Sequence, residues 1–365
     1  MSRREIGRHP GAGVGYGSEG CPGSAMTDHK KLKRLVRDRM AATGESYTTA
    51  RWHITSKTKP QHRVSKLLAT ALDDEYSEAM ITGLAGGIGF MYAVFEYKGM
   101  HPLMTIMAQH HPDPWVPAVL NRLNVSFVEQ HSGKAEAGIA KLRKATRPVF
   151  AEVDRSALPW HEPSPWAGYD PYTVLVVEIS ETVSLIDVDR HELSIEDFSK
   201  AWSAYRKGKH HAIVMGTAGK PDLDKAVSDA IQTTVDHMTG PVLGNNFDVN
   251  FGFSGMSKLA DQLRDTRTKA GWTKRFGDTD HGTKRLYECL EEQNTAPGAT
   301  RPLYADFLDE VGRAEAAKLF KQSGAAWSRL AKKAKMSKDY PAMAEIVDEC
   351  LDLESRAVEL LRQPR

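Results

Sequence analysis

Two apolar runs, residues 173–179 and 183–188, are separated by only a few residues, and they constrain this chain more than any other feature. A parallel crossover needs a dozen or more residues, so a connection this short joins antiparallel strands. At least part of the sheet is therefore antiparallel. Further strands are expected at 103–107, 125–130, 148–153 and 211–215, with helices at 115–123, 134–145 and 195–205. Leu67, Leu68, Ala71 and Leu72 place a buried helix ahead of them, and Gly83, Gly86, Gly87 and Gly89 mark a turn. Ser194 and Asp197 have the spacing of a helix-capping box. After residue 220 the periodicity is helical almost throughout, at 221–239, 255–265, 282–292, 303–334 and 339–362. The pattern is α+β, not a doubly wound sheet.

The remaining organisation follows from composition. Residues 1–26 hold many glycines without apolar periodicity and read as a disordered tail. Gly11-Ala12-Gly13-Val14-Gly15 has no strand before it, so it is not a nucleotide loop; Met26 is an alternative start. Residues 27–58 read as a short helical extension, made basic by Lys30, Lys31, Lys33, Arg34, Arg37 and Arg39. That face is either solvated or a contact for nucleic acid, and a solvated face is the simpler reading. The main body divides into 59–218 and a helical 219–365.

The 49 Lys and Arg residues against 47 Asp and Glu leave a net charge of +2, too little to draw nucleic acid or a membrane surface. No apolar run is long enough to span a bilayer. Cys21, Cys289 and Cys350 are odd in number and far apart, which fits a reducing cytoplasm and no disulfide framework. No cofactor motif is present. Asp187-x-Asp189-x-His191 could set three ligand types on one strand face, but a polar strand end explains it more simply, and no metal is assigned. No heptad pattern fixes the oligomeric state, and a homodimer is compatible with the sequence.

Nucleophiles are scarce. Cys289 and Cys350 lie within amphipathic helices, beside Leu290 and Leu351, as buried inert cysteines do. Gly252-Phe253-Ser254-Gly255 lacks the spacing of a nucleophile elbow, and Ser254 reads as a helix cap. The glycines at 83–89 allow either close approach of an anion or thioester carbonyl, or tight packing.

Ser77-Glu78-Ala79-Met80 followed by Gly83-Leu84-Ala85-Gly86-Gly87-Ile88-Gly89-Phe90-Met91-Tyr92 resembles the N-terminal domain of the butirosin biosynthesis protein H family. Leu158-Pro159-Trp160-His161, Asp187 and the 193–202 segment recur in the family's order. Asn250-Phe251-Gly252-Phe253-Ser254-Gly255, Gly271-Trp272 and the run from Arg301 to Glu310 resemble the helical domain of unknown function that accompanies it. The resemblance implies a papain-like, mixed-sheet fold followed by a mainly helical domain. It also implies acyl transfer from a carrier-protein thioester to an amine, through a cysteine at a helix N-terminus, a histidine and an acid.

The chain departs from that plan where the chemistry would occur. Around Pro60-Gln61-His62-Arg63-Val64-Ser65, Arg63 falls in the nucleophile slot, and Tyr172 or Thr173 stands where the family has its histidine. The candidate catalytic set is Ser65, His62, His161 and Asp187; the candidate binding set is Arg63, Gly86, Gly87, Gly89, Tyr92 and Tyr172. Three readings follow: an acyltransferase using a non-cysteine route; a pseudoenzyme that binds a small molecule, acyl carrier protein or peptide; and a nucleic-acid-linked regulator acting through the basic extension. The implied partners are an acyl carrier protein or a small-molecule amine.

Overall fold

The computed structural model describes residues 61–163 and 167–363, together with Arg34, Arg37 and Met40. The tail and extension expected at 1–26 and 27–58 lie outside the described residues, apart from those three, which are helical. The described residues from 61 onward belong to one compact unit.

Helix α1 (Arg63–Ala71) is capped by His62, whose ring accepts from the Ser65 N–H. Helix α2 (Glu78–Leu84) is capped by Ser77. A hairpin follows, β1 (Ile88–Phe95) against β2 (Leu103–Gln109), as a separate two-stranded sheet. Next come α3 (Trp115–Arg122), β3 (Val125–Gln130), α4 (Ala135–Leu142), β4 (Val149–Asp154), β5 (Pro171–Ile179), β6 (Thr182–Ile186), β7 (Arg190–Ser194), α5 (Ile195–Ala204) and β8 (Ala212–Ala218). The main sheet has the order β3-β8-β4-β5-β6-β7, and every described ladder in it is antiparallel. The strands expected at 173–179 and 183–188 are β5 and β6, but the antiparallel pairing extends across the whole sheet, so it is not a mixed one.

The rest is helical: α6 (Leu223–Thr239), α7 (Gly252–Arg264), α8 (Trp272–Phe276), α9 (His281–Glu291), α10 (Arg301–Glu310), α11 (Ala314–Met336) and α12 (Tyr340–Arg362). The helix expected at 303–334 is two helices. Gly312, at φ +74°, turns the chain between them. Ser254 does not cap α7; that helix starts at Gly252, with Phe251 in the cap position. The Ser194 cap is present, with the Asp197 N–H 3.0 Å from its hydroxyl. Among the described residues no helix is long and apolar enough to cross a membrane.

Among the described residues two large apolar cores result. One joins the main sheet to α4 and α5 through Val149, Val174, Leu185, Phe198 and Trp202. The other wraps the helices around the β1–β2 hairpin, burying Phe90, Tyr92 and Ile106 against Trp272, Tyr304 and Trp327. This second core runs from Ala79 to Leu361, across the division drawn at residue 218. Phe90, Tyr92, Trp202, Trp272 and Trp327 are among the largest fully buried side chains, and burying each contributes on the order of 2–3 kcal/mol. The start of α1 faces β5, the loop after β2 and the first turn of α3, and there a cleft opens.

Candidate functional site

The cleft has a volume of about 340 Å³. Its wall includes Arg63 and Val64 of α1, residues 107–117 except Ala108, Phe150–Glu152 of β4, Thr173 of β5, His211 and Ile213. The first turn of α1 sends the sequence candidates to opposite sides of the helix.

On one side lies Asp187, in the turn after β6. Its side chain is 2% exposed and accepts from four donors. Arg63 Nη1 is 3.1 Å away, Trp160 Nε1 3.1 Å, His161 Nε2 2.9 Å and the Tyr172 hydroxyl 2.9 Å. Arg63 also donates to the Thr173 carbonyl at 2.5 Å, and its guanidinium lies 3.7 Å from the centre of the Tyr172 ring. Burial alone would push the Asp187 carboxyl up, but the Arg63 charge and the Trp160, Tyr172 and His161 donors outweigh it, so it is held below the usual carboxylate range. The Tyr172 phenol is pushed the other way, first by burial. Asp154 organises the loop that carries Trp160 and His161: its carboxylate accepts from the Ser156, Gly168 and Asp170 N–H groups.

On the other side of the turn are His62 and Ser65. The Ser65 hydroxyl is 3.1 Å from His62 Nδ1 and 2.8 Å from the Thr82 hydroxyl, and Ser65 is fully buried. His62 is 2% exposed, stacks on Trp115 at 4.3 Å, and its Nε2 lies 2.6 Å from Gln109 Oε1. Burial, with Arg63 nearby, pulls the His62 pKa down to about 4. Serine and imidazole do meet, but inside the protein, where burial opposes protonation of the ring. The geometry therefore does not support Ser65 as an accessible nucleophile; Ser65 and His62 hold the start of α1 in place.

The glycine turn proves to be a packing device. A Cβ on Gly86 would lie 2.8 Å from His110 Cγ, on Gly87 2.3 Å from Tyr304 Cε2, and on Gly89 2.4 Å from His237 Cε1. These three positions receive side chains rather than a ligand. Tyr92 is fully buried, donates to Gln262 at 2.7 Å and accepts from Trp272 at 2.9 Å. Asp187 and Asp189 lie in the turn between β6 and β7, and His191 stacks flat on Trp160 at 3.7 Å, so the three do not share one strand face.

Of the candidates, Arg63, His161, Tyr172 and Asp187 converge. The sequence reading missed Trp160 as a donor, although it adjoins His161. It also missed Gln109, Trp115 and Glu152, which reach the cleft from separate segments without any local signature, and it weighed His211 only as half of an adjacent histidine pair for a metal.

Cys289 and Cys350 are buried, and burial raises both thiols. Neither provides a thiolate.

Residues 60–188 match the family model described as Butirosin biosynthesis protein H, N-terminal. Residues 193–361 match the Domain of unknown function (DUF4872). No curated protein matches the chain.

Proposed function

We propose that this chain, which has the domain architecture of the butirosin biosynthesis protein H family, binds an acyl-bearing or anionic ligand non-covalently in the cleft beside Arg63. The family's papain-like acyl-transfer plan is retained as a pocket without its thiol. One observation carries this reading. Arg63 holds the first position of α1, where a thiol nucleophile would be activated, and its guanidinium is locked onto Asp187 and the Thr173 carbonyl. The Asp187 pair holds the guanidinium in place through Nη1, and its remaining N–H donors, beside a helix N-terminus, would take a carboxylate, a phosphate or a phosphopantetheine arm. An acyl carrier protein or a small amine in bacterial secondary metabolism would be the partner, and the cytoplasm the setting.

A second reading keeps acyl transfer by a non-cysteine route. Its support is the His161–Asp187 contact of 2.9 Å, since a carboxylate that orients an imidazole makes a general base. It lacks a nucleophile, because Ser65 is enclosed.

The two readings are separated by giving the protein phosphopantetheine and an acyl-pantetheine thioester with an amine acceptor. Saturable binding that Arg63→Ala weakens about tenfold, without product, is expected. Amide product abolished by His161→Gln would favour the second reading.

A further inference from the structure

His211 immediately precedes β8, the strand that separates β3 from β4. Its imidazole reaches both neighbouring strands. Nε2 is 3.3 Å from a Glu129 oxygen on β3, and Nδ1 is 3.6 Å from a Glu152 oxygen on β4. The backbone around it is fixed, because its carbonyl accepts from the Glu152 N–H at 3.1 Å and from Trp202 Nε1 at 3.1 Å. Glu152 and His211 both line the cleft.

We infer that His211 is a proton-operated strut in the cleft wall: charged, it ties Glu129 to Glu152 across β8, and uncharged, it can hold only one of the two. A neutral imidazole has one N–H, so it can donate to one carboxylate only, and its bare nitrogen then faces the other. Losing the proton takes the trio from a net charge of about −1 to about −2 and sets two carboxylates on either side of a ring that no longer compensates them. The cleft wall becomes more negative and less tightly tied. The importance of this for ligand entry rests on the cleft being the binding site; the strut itself does not.

The other titratable groups around the ring fit this role. His131, following β3, stacks on His211 at 4.8 Å and turns its Nδ1 to the Gly208 carbonyl at 3.2 Å. Tyr205, at the end of α5, is in the field of Glu152, which helps raise its phenol after burial. His210 faces away, to the Ser132 carbonyl and the Ser203 hydroxyl. The imidazolium is favoured first by Glu152 and then by Glu129, against some burial. Glu152 is the more distant carboxylate but the less exposed, 30% against 47%, so water screens it less.

The test is an NMR titration of the full chain labelled at histidine rings and at alanine and isoleucine methyls, with Ala151 and Ile213 reporting on the cleft. His211 is expected to titrate above the ordinary imidazole value of about 6.5, and the two methyls should move with the same midpoint. Glu152→Gln should lower that midpoint more than Glu129→Gln, and His211→Gln should remove the methyl transition. Should Glu152→Gln fail to fold, the more exposed Glu129→Gln carries the comparison. An ordinary or depressed His211 midpoint, or methyls that do not follow it, would overturn the inference. No ligand is needed, so failure of pantetheine binding would remove the proposed function and leave the strut intact, and the reverse result would do the opposite.

Discussion

Arg63 Nη1 sits 3.1 Å from Asp187 Oδ1, so the first residue of α1 is bound to the end of β6 by a charge pair that is nearly dry on the carboxylate side. In a papain-like plan this is where a thiol, an imidazole and an acid would face one another. Here the carboxylate of Asp187 accepts from Arg63, Trp160, His161 and Tyr172. Asp187→Ala takes the shared acceptor from those donors, leaving only Arg63 with another, the Thr173 carbonyl, and should cost about 3 kcal/mol. Arg63→Ala removes one donor of four, at a partly exposed position, and should cost about 1 kcal/mol. Urea denaturation measures both. Because the carboxyl is held below its unfolded value, this contribution is full above the ordinary Asp range of about 4 and fades as pH falls through the depressed folded value.

Two buried histidines act in the same pH direction. His62 and His237 are both lowered to about 4, chiefly by burial. Below the ordinary imidazole value of about 6.5 the unfolded chain takes up protons that the folded chain refuses. Stability should therefore fall between about pH 6.5 and 4, by on the order of 3 kcal/mol for each ring. Thermal melts across that range should show the loss, and His62→Gln should flatten its slope.

The glycine turn gives a third check. Gly87 has φ +65°, and a Cβ there would meet the Tyr304 ring. Gly87→Ala should destabilise the protein by about 2 kcal/mol or more, through backbone strain and overpacking. Any effect on ligand affinity should follow only from that loss, since the residue lines no part of the cleft wall. Denaturation and binding measured on the same variant separate the two.

Much of the fold was legible because its signals are local. Short connections and β-branched runs marked β5 and β6, and helical periodicity marked most of the later helices. Strand β1 was hidden: Ile88, Phe90, Met91 and Tyr92 are all buried, so no alternation shows, and the glycines read as a turn. Strand β7 was hidden for the opposite reason, since only Leu193 of its residues is buried. Within the site, family order pointed to Arg63, His161, Tyr172 and Asp187. It could not show that the turn of α1 would send Ser65 inward to Thr82 while Arg63 pointed to the sheet.

Arg301 and Glu354 form a fully buried pair at 2.8 Å, with Ser323 and Trp327 also donating to the carboxylate. Arg301 further donates to the Ala108 carbonyl on β2, so it links the hairpin that leads into the cleft to α12. Glu354→Gln should cost about 3–5 kcal/mol, because it strands a buried guanidinium charge. Calorimetry would show this as a lower Tm, and a double change to well-packed apolar residues should recover much of the loss.

The most direct test of the central claim is intact-protein mass spectrometry with calorimetric titration, comparing the natural chain and a variant with all three cysteines replaced by serine, each given acyl-pantetheine thioester. The cleft reading predicts equal reversible binding by both proteins, no acyl adduct, and about tenfold weaker binding in Arg63→Ala. A covalent acyl-protein that forms in the natural chain and disappears with the cysteines would contradict it.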